Sequence, residues 1–248
     1  MLPAMASMAL LCGCTTVETV QFRPSPNQSA IVRDGLPALV SRMEHSVVLV
    51  RPASRGEPSA GRVVFIVAIN NLTQHPVDFR VADISASQTD ADGTPVALQV
   101  ISYEQLVSEE RSRELREAIA VSLSAAGNSL SAAHAEYGTA TGSVYTASGP
   151  ATFTTTYYNP AAAAAAQANA NMQNDAMIAS AVETGQRNME TLERFVLKDN
   201  TIMPGEWVGG QVHISPPSTM NGQSKNYVIS VSFAGDVHQI EVVQQRGQ

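Results

Sequence analysis

The chain has 248 residues, of which 44% are hydrophobic, 5% aromatic and 15% charged. Its formal net charge is −7 at pH 7, and its only lysines are Lys198 and Lys225. Such an acidic chain offers neither the basic surface that binds nucleic acid nor a polybasic patch for anionic lipids. Its length and apolar content are those of one large or two modest folded domains.

The first sixteen residues, MLPAMASMALLCGCTT, contain a short apolar run that ends in Leu11, Cys12, Gly13 and Cys14. The run is far shorter than the roughly 20 residues that span a bilayer, so it predicts a signal segment rather than a transmembrane helix. The final four residues resemble the lipobox of bacterial lipoproteins. This resemblance implies a signal peptide over residues 1–13, cleavage between Gly13 and Cys14, and diacylation of the Cys14 thiol. An ordinary secretory signal or a buried N-terminal helix that contains two cysteines is the alternative. No basic residue precedes the run, which departs from the usual pattern of secretory signals.

Cys12 and Cys14 are the only cysteines, so neither a disulfide nor a thiolate metal site is expected beyond Cys14. Stable anchoring needs more than one acyl chain, and the triacylated cysteine implied by the resemblance supplies them. Thr15 follows Cys14, and lipoproteins without Asp at that position are sorted to the outer membrane of Gram-negative cells. The resemblance thus implies the periplasmic face of the outer membrane. The expected partners are the membrane, through the lipid, and an envelope protein or further copies of the chain.

Residues 14–40 have no hydrophobic period and are expected to form a tether, ordered only where Ile31 and Val32 meet the body. Runs rich in Val and Ile then predict strands, separated by Pro, Gly, Asn and Asp: SVVLVRP, RVVFIVAINN, VDFRVADISAS and VALQVI. The string FIVAINNLTQHPVDF resembles the passage from strand B to strand C in bacterial immunoglobulin-like domains. Strands return near the C-terminus as NTIMPG, EWVGGQVHISPP, NYVISVSFAG and DVHQIEVVQQ.

Residues 103–196 are predicted to form a helical hairpin inserted into this strand pattern. Ser102 and Gln105 form a capping box, and Asn159 with Pro160 has the residue types that begin a second helix. On the second helix an aliphatic stripe at coiled-coil spacing predicts a buried seam against Leu115 and Ile119: Ile178, Val182, Gly185, Met189, Leu192 and Val196.

The predicted fold class is therefore α+β: an immunoglobulin-like antiparallel β-sandwich over residues 41–102 and 197–248, interrupted by the helical hairpin. Between the helices, residues 137–159 are either a β-prone pair of segments or a flexible loop. This segment is rich in Thr and Tyr, and Tyr157 and Tyr158 at its end are candidates for an interaction surface. Gly138 and Gly142 are expected to weaken its first half.

We find no catalytic or cofactor motif in the sequence, and we expect neither enzymatic activity nor a bound cofactor or metal. The histidines lack metal-ligand spacing, and TDADGT from Thr89 lacks the later ligands of a calcium loop. Trp207, the only tryptophan, is either a binding platform or a cap on the core, with a bulge at the neighbouring Gly209 and Gly210. The phrase around it resembles a strand entry in uncharacterised bacterial envelope lipoproteins.

Two functional hypotheses follow. The first is a lipid-anchored envelope protein that acts as a structural or interaction module. The second is an oligomeric outer-membrane channel or export lipoprotein that uses residues 137–159 as a membrane β-hairpin, because each half is near the length of a membrane strand. The second resembles barrel-forming secretion lipoproteins such as the curli secretion channel.

Overall fold

The computed structural model describes residues 17–89, 93–135, 137–218 and 224–246. Two helices are present in these ranges, α1 Tyr103–His134 and α2 Pro160–Phe195, with a short 3₁₀ turn at Val81–Asp83. The strands in chain order are β1 Val17–Arg23, β2 Gln28–Arg33, β3 Leu36–Arg42, β4 Ser46–Pro52, β5 Glu57–Pro58, β6 Val63–Asn71, β7 Val77–Phe79, β8 Ile84–Thr89, β9 Pro95–Leu98, β10 Val100–Ile101, β11 Tyr137–Thr146, β12 Gly149–Tyr158, β13 Asn200–Ile202, β14 Trp207–Ile214, β15 Ser224–Phe233 and β16 Asp236–Arg246.

The chain divides into two compact units. The two-sheet unit comprises Met1–Gln105 and Phe195–Gln248, and the helical unit comprises Leu106–Arg194. The two-sheet unit has one six-stranded sheet in the order β5-β1-β16-β15-β8-β9 and another in the order β10-β14-β6-β4-β3-β2. The paired strands of both sheets are antiparallel, which confirms the predicted α+β class with antiparallel sheets.

The core of the two-sheet unit forms between the sheets. Along β6, Val63, Phe65, Val67 and Ile69 are fully buried and alternate with half-buried residues, as a strand packed more tightly on one face requires. The Phe65 ring lies 6.2 Å from that of Tyr227 in the opposite sheet, centroid to centroid, in an edge-on arrangement. Aromatic and branched aliphatic contacts between the two sheets therefore hold them together.

The tether expected over residues 14–40 is replaced by strands from Val17 onward. The apolar alternation of β1 is hidden in the sequence because a charged residue, Glu18, occupies a buried position next to buried Val20. Strand β3 contains Pro37 and buried Ser41, which obscure its pattern in the same way. The residues between β2 and β3, Asp34 and Gly35, both have positive φ, and Asp-Gly is a strong hairpin signal.

Several predicted strands divide or extend in the structure. VDFRVADISAS forms β7 and β8 on either side of the 3₁₀ turn, and VALQVI forms β9 and β10. No bulge occurs at Gly209 and Gly210, which pair in register with Ala68 and Val67 of β6. A Cβ on Gly210 would lie 2.7 Å from the backbone nitrogen of Leu197, so glycine here allows the chain leaving α2 to lie against β14.

In the helical unit, α1 and α2 begin as the sequence predicts. The Ser102 hydroxyl accepts the Gln105 N–H at 3.2 Å, and the Asn159 side chain accepts the Ala162 N–H at 3.1 Å. The first helix runs to His134, and the alanines and leucines of its last turns offset the low helix propensity of Gly127.

The predicted aliphatic seam is wrong at Ile178 and Val182, whereas Gly185 is buried as predicted and Met189 and Leu192 are half-buried. Ile178 and Val182 are 49% and 54% exposed, and Leu115 and Ile119 on α1 are 64% and 53% exposed. The helices meet instead through small and polar residues, on a face about one position away from the predicted stripe. Ala132 and Ala170 are buried, and the side-chain amides of Asn128 and Asn174 hydrogen-bond at 2.9 Å. Small side chains allow closer approach of the two backbones, which leaves the larger aliphatic residues on the outside.

Polar groups continue this contact toward the other end of the helices. Arg113 donates to Glu110 and to Glu117 on its own helix, at 2.6 and 2.5 Å. Asn188 of α2 donates to the same Glu110 carboxylate at 3.0 Å, and the Glu114 side chain lies against Gly185. The hydrogen bond from Arg113 lowers the pKa of Glu110. The seam is therefore held by directional bonds as well as by packing.

Candidate interaction surfaces

The predicted site residues lie in different parts of the chain. Gly13 and Cys14 are outside the described residues. Tyr157 and Tyr158 lie at the end of β12 in the helical unit, 49% and 59% exposed. Trp207 begins β14 in the two-sheet unit and is 52% exposed. The two tyrosines, consecutive in β12, lie on opposite faces of the strand, and Trp207 lies in the other unit.

Strands β11 and β12 form a regular antiparallel hairpin with ten residues in each strand. Of the two alternatives for residues 137–159, the structure therefore has the strand pair and not the flexible loop. The two strands pair in register from Tyr137 with Tyr158 to Thr146 with Gly149, leaving a two-residue turn at Ala147 and Ser148. In the described part of the chain these strands form a sheet of their own.

The hairpin has two chemically different faces. One, the hydroxyl face, carries six Thr and Ser residues together with three tyrosines and the proline: Tyr137, Thr139, Thr141, Ser143, Tyr145, Pro150, Thr152, Thr154, Thr156 and Tyr158. The other, the apolar face, is mainly apolar and includes two threonines: Gly138, Ala140, Gly142, Val144, Thr146, Gly149, Ala151, Phe153, Thr155 and Tyr157. The interaction surface predicted at Tyr157 and Tyr158 does not include Phe153 and Tyr137, although the two-residue alternation of Thr with Gly, Ala and Val in β11 marks both faces.

Aromatic rings cover the glycines on the apolar face. A Cβ on Gly138 would lie 2.6 Å from the Tyr157 ring, and one on Gly142 would lie 2.6 Å from the Phe153 ring. On the hydroxyl face the rings of Tyr137 and Tyr158 lie 6.0 Å apart. The expectation that the glycines weaken β11 overlooked these cross-strand contacts, which pack a ring against the exposed backbone.

The helical unit exposes further apolar surface on its helices. On α1 a stripe at helical spacing is more than half exposed: Leu115, Ile119, Leu123 and Leu130. Between the helices a groove of about 400 Å³ is lined by Ala118, Val182, Gly185, Met189 and neighbouring residues. The α1 stripe and the groove are exposed because the helices contact each other mainly through small and polar residues.

The loop before Trp207 is held firmly, although the tryptophan itself does not cap the core. The Asn70 side chain donates to the Gly205 and Glu206 carbonyls at 3.0 and 2.8 Å. The fully buried Asn71 side chain donates to the Ile202 carbonyl at 2.8 Å. The two sequence strings singled out for resemblance, around Asn71 and around Trp207, are therefore joined by hydrogen bonds in the two-sheet unit.

A chain of polar side chains crosses the core between β3, β4 and β16. Ser46 donates to Asp236 at 2.7 Å, so its oxygen accepts the Nε2–H of His238 at 2.8 Å, and Ser41 donates to His238 Nδ1 at 2.9 Å. Ser41, Ser46 and His238 are fully buried. The Asp236 carboxylate bonds Ser46 and not the His238 imidazole, an order that differs from a Ser-His-Asp triad.

Burial sets the protonation of this network. Burial lowers the pKa of His238, which outweighs the opposing attraction of Asp236. For Asp236 burial acts to raise the pKa, but hydrogen bonds from Ser46 and His45 reverse this and leave it lowered. A neutral imidazole beside an ionised carboxylate satisfies every donor in the chain.

A second buried network ties β1 to the hairpin of β15 and β16. Lys225 donates to Glu18 at 2.7 Å, Gln244 donates to the same carboxylate at 2.9 Å, and Tyr227 donates to Gln244 at 3.2 Å. Burial raises the pKa of Tyr227, and the nearby Glu57 and Glu18 carboxylates raise it further. The network is internally satisfied and stabilises the strand arrangement.

Among the described residues, no group of His, Cys, Asp and Glu is placed to hold a metal ion. Neither helix, within those same ranges, has the length and hydropathy to span a membrane. Comparison with known proteins finds no matching family model, no similar curated protein and no similar solved structure.

Proposed function

We propose that the protein is a lipid-anchored component of the bacterial envelope whose helical unit is an interaction module. The observation that carries the proposal is the combination of a lipobox ending in Cys14 with a hairpin that is exposed on both faces. An isolated two-stranded hairpin is only marginally stable in water, so this length of strand indicates a surface that meets a partner. The proposed location is the periplasmic face of the outer membrane.

The strand order supports an immunoglobulin-like fold for the two-sheet unit. The strands β4-β6-β14-β10 correspond to the order A-B-E-D, and β9-β8-β15-β16 correspond to C′-C-F-G. In this assignment, the string FIVAINNLTQHPVDF covers B and the approach to C, and the helical unit is inserted between D and E. Strands β2 and β3 extend one sheet beside A, and β1 and β5 extend the other beside G.

The two cysteines provide a matched test of the anchor. Cys14→Ala is expected to abolish labelling by a palmitate analogue and to release the protein from the membrane fraction. Cys12→Ala removes the neighbouring thiol and is expected to leave both unchanged. Equal labelling of the two variants, or membrane attachment of Cys14→Ala, would contradict the lipid anchor.

A second candidate function, the oligomeric channel or export lipoprotein, is favoured by one observation. The strands β11 and β12 each have ten residues, the length of a tilted membrane strand, and residues 137–158 contain no charged side chain. The expected outcome is release of a small dye from vesicles by the full chain and not by a chain lacking residues 137–158. Equal release by both chains, or by neither, rules this candidate out.

A further inference from the structure

We propose that copies of this chain assemble side by side through the edges of the β11–β12 hairpin, β12 of one copy pairing with β11 of the next. The inference rests on the proposed function and deepens it, because it names a second copy of the chain as the partner of the interaction module. Three features of the described residues support it: the length of the hairpin edges, the lack of charged residues along them, and the direction of the two strands.

The first feature is the length of the hairpin edges. In the two-sheet unit the outermost strands are short: β5 and β10 have two residues each, β9 has four and β2 has six. Short edge strands are one way in which proteins prevent unwanted pairing. The hairpin edges have ten residues each, in continuous register and without a bulge. The chain therefore limits pairing at its large sheets and leaves it open at the hairpin.

The second feature is charge. No Asp, Glu, Lys or Arg occurs from Tyr137 to Asn174, although the whole chain has 37 such residues, 15 basic and 22 acidic. Charged residues, lysine above all, and proline are the usual means of blocking an edge. The hairpin has one proline, Pro150, beside the turn and opposite Tyr145. Two such edges meet without electrostatic repulsion, and their Thr and Ser side chains can pair across the new junction as Thr141 and Thr154 do within the hairpin, at 3.3 Å.

The third feature is direction. Because β11 and β12 are antiparallel, β12 of one copy and β11 of an identically oriented neighbour are antiparallel too. Each added copy continues the same ladder, so the interface is head-to-tail and a ring can close it. Copies anchored by Cys14 to one membrane share one orientation with respect to that membrane. This geometry favours a second copy in the same orientation over a two-fold pairing of β11 with β11.

The helices of the same unit offer a second contact for neighbouring copies. The α1 stripe of Leu115, Ile119, Leu123 and Leu130 is exposed, and the chain passes from the end of α1 at His134 to β11 at Tyr137. Copies whose hairpins pair side by side bring their helical hairpins alongside one another. Apolar stripes on exposed helices are typically covered in an assembly.

The first experiment measures the mass of the full, lipidated chain in detergent by sedimentation velocity. The wild type is expected to sediment as an assembly of several copies, and Thr141→Lys, in the middle of β11, is expected to sediment mainly as a monomer. Ser148→Lys places the same charge at the exposed turn, away from the edges, and should keep the assembly. A monomeric wild type, or equal behaviour of the two lysine variants, would overturn the proposal. Circular dichroism of each variant establishes that the helices and sheets are retained.

The second experiment tests the direction of pairing without relying on a destabilising change. Two chains with single substitutions, Thr141→Cys and Thr154→Cys, carry affinity tags of different size, and a short bismaleimide links neighbouring thiols. The mixture is expected to give mainly cross-links between the two different chains, and the parent chain measures any reaction of Cys12 and Cys14. Cross-linking that is strongest within Thr141→Cys alone indicates two-fold pairing and overturns the head-to-tail arrangement.

The outcomes separate this inference from the proposed function. If the wild type is monomeric and vesicles alone protect residues 137–158 from proteolysis, the partner is the bilayer, and the self-assembly proposal is wrong. Membrane attachment that depends on Cys14 would still stand in that case. If the chain assembles but Cys14→Ala remains in the membrane fraction, the anchor is wrong and the hairpin interface stands.

Discussion

Asn71 is the position at which a single side chain most directly controls the two-sheet unit. Its amide nitrogen donates to the His75 and Ile202 carbonyls at 2.9 and 2.8 Å. Its oxygen accepts the backbone N–H and the hydroxyl of Thr73 at 2.9 and 2.7 Å. Asn71→Ala removes all four bonds from a fully buried position and breaks the link between the end of β6 and the segment that leads to Trp207.

The expected loss of stability follows from these contacts. A hydrogen bond contributes about 0.5–1.5 kcal/mol net, and a buried group left without its partner costs about 1–3 kcal/mol. Thr73 and His75 are accessible to water and regain part of their bonding, whereas Ile202 is fully buried. We therefore expect a destabilisation of about 3 kcal/mol, which for a domain of this size lowers the Tm by roughly 6–12 °C.

Thermal unfolding followed by tryptophan fluorescence checks this expectation. Trp207 is the only tryptophan and lies in the two-sheet unit, so its signal reports the unfolding of that unit. Gln74→Ala changes an exposed residue of the same loop and is the matched control. If the Asn71→Ala and Gln74→Ala variants melt together, the buried amide does not hold the loop, and the reasoning from its four bonds is refuted.

Four further outcomes are expected. Because the pKa of His238 is lowered in the folded protein, the unfolded chain binds a proton first, and the free energy of unfolding should fall as the pH drops below about 6.5. Urea titrations at several pH values would show this dependence, and its persistence in His238→Asn would contradict its assignment to His238. Gly210→Ala should destabilise by about 1–3 kcal/mol through collision with the Leu197 backbone, and unchanged thermal unfolding would show that the chain there can move. Val182→Asp should change stability by no more than about 0.5 kcal/mol because the side chain is exposed, and a large loss of helix stability in circular dichroism would restore the buried seam. Replacing residues 106–194 with a short linker should preserve cooperative melting of the two-sheet unit, and a broad transition would mean that the helical unit is needed for its fold.

Strands rich in Val and Ile could be predicted from the sequence even where they contain a buried polar residue, such as Ser46 in β4 or His238 in β16. The N-terminal strands have fewer such residues and could not be predicted in this way. Strands β4, β6 and β14 lie within the predicted runs, and β15 and β16 exceed theirs by two residues and one residue. Strand β1 was missed because buried Glu18 is compensated by Lys225, a residue more than two hundred positions later in the chain. A local pattern cannot reveal a partner at that distance, so the sequence of the N-terminal segment predicts a tether where the structure has strands.

The helices illustrate a different limit. Their beginnings depend on local bonds at Ser102 and Asn159 and were predicted. Which face a helix buries depends on the helix it packs against. Here alanines and asparagines of α1 and α2 form the contact, and Ile178 and Val182 of the aliphatic stripe stay exposed. The candidate surface at Tyr157 and Tyr158 was found by composition, but its extent to Phe153 and Tyr137 emerges only from the register of the hairpin.

The pairing of β1 with β16 has a consequence for how the protein comes to be folded. Thr19 lies opposite Gln245, 226 residues later, so β1 stays without this neighbour until the last strand has been synthesised. Contacts at such separation form slowly, and the strands that await them are exposed to aggregation. The helical unit, whose contacts are more local, can fold in the meantime. Under the proposed function the chain is exported, so β1 needs protection during transit. We therefore expect export to depend on a chaperone that binds extended segments.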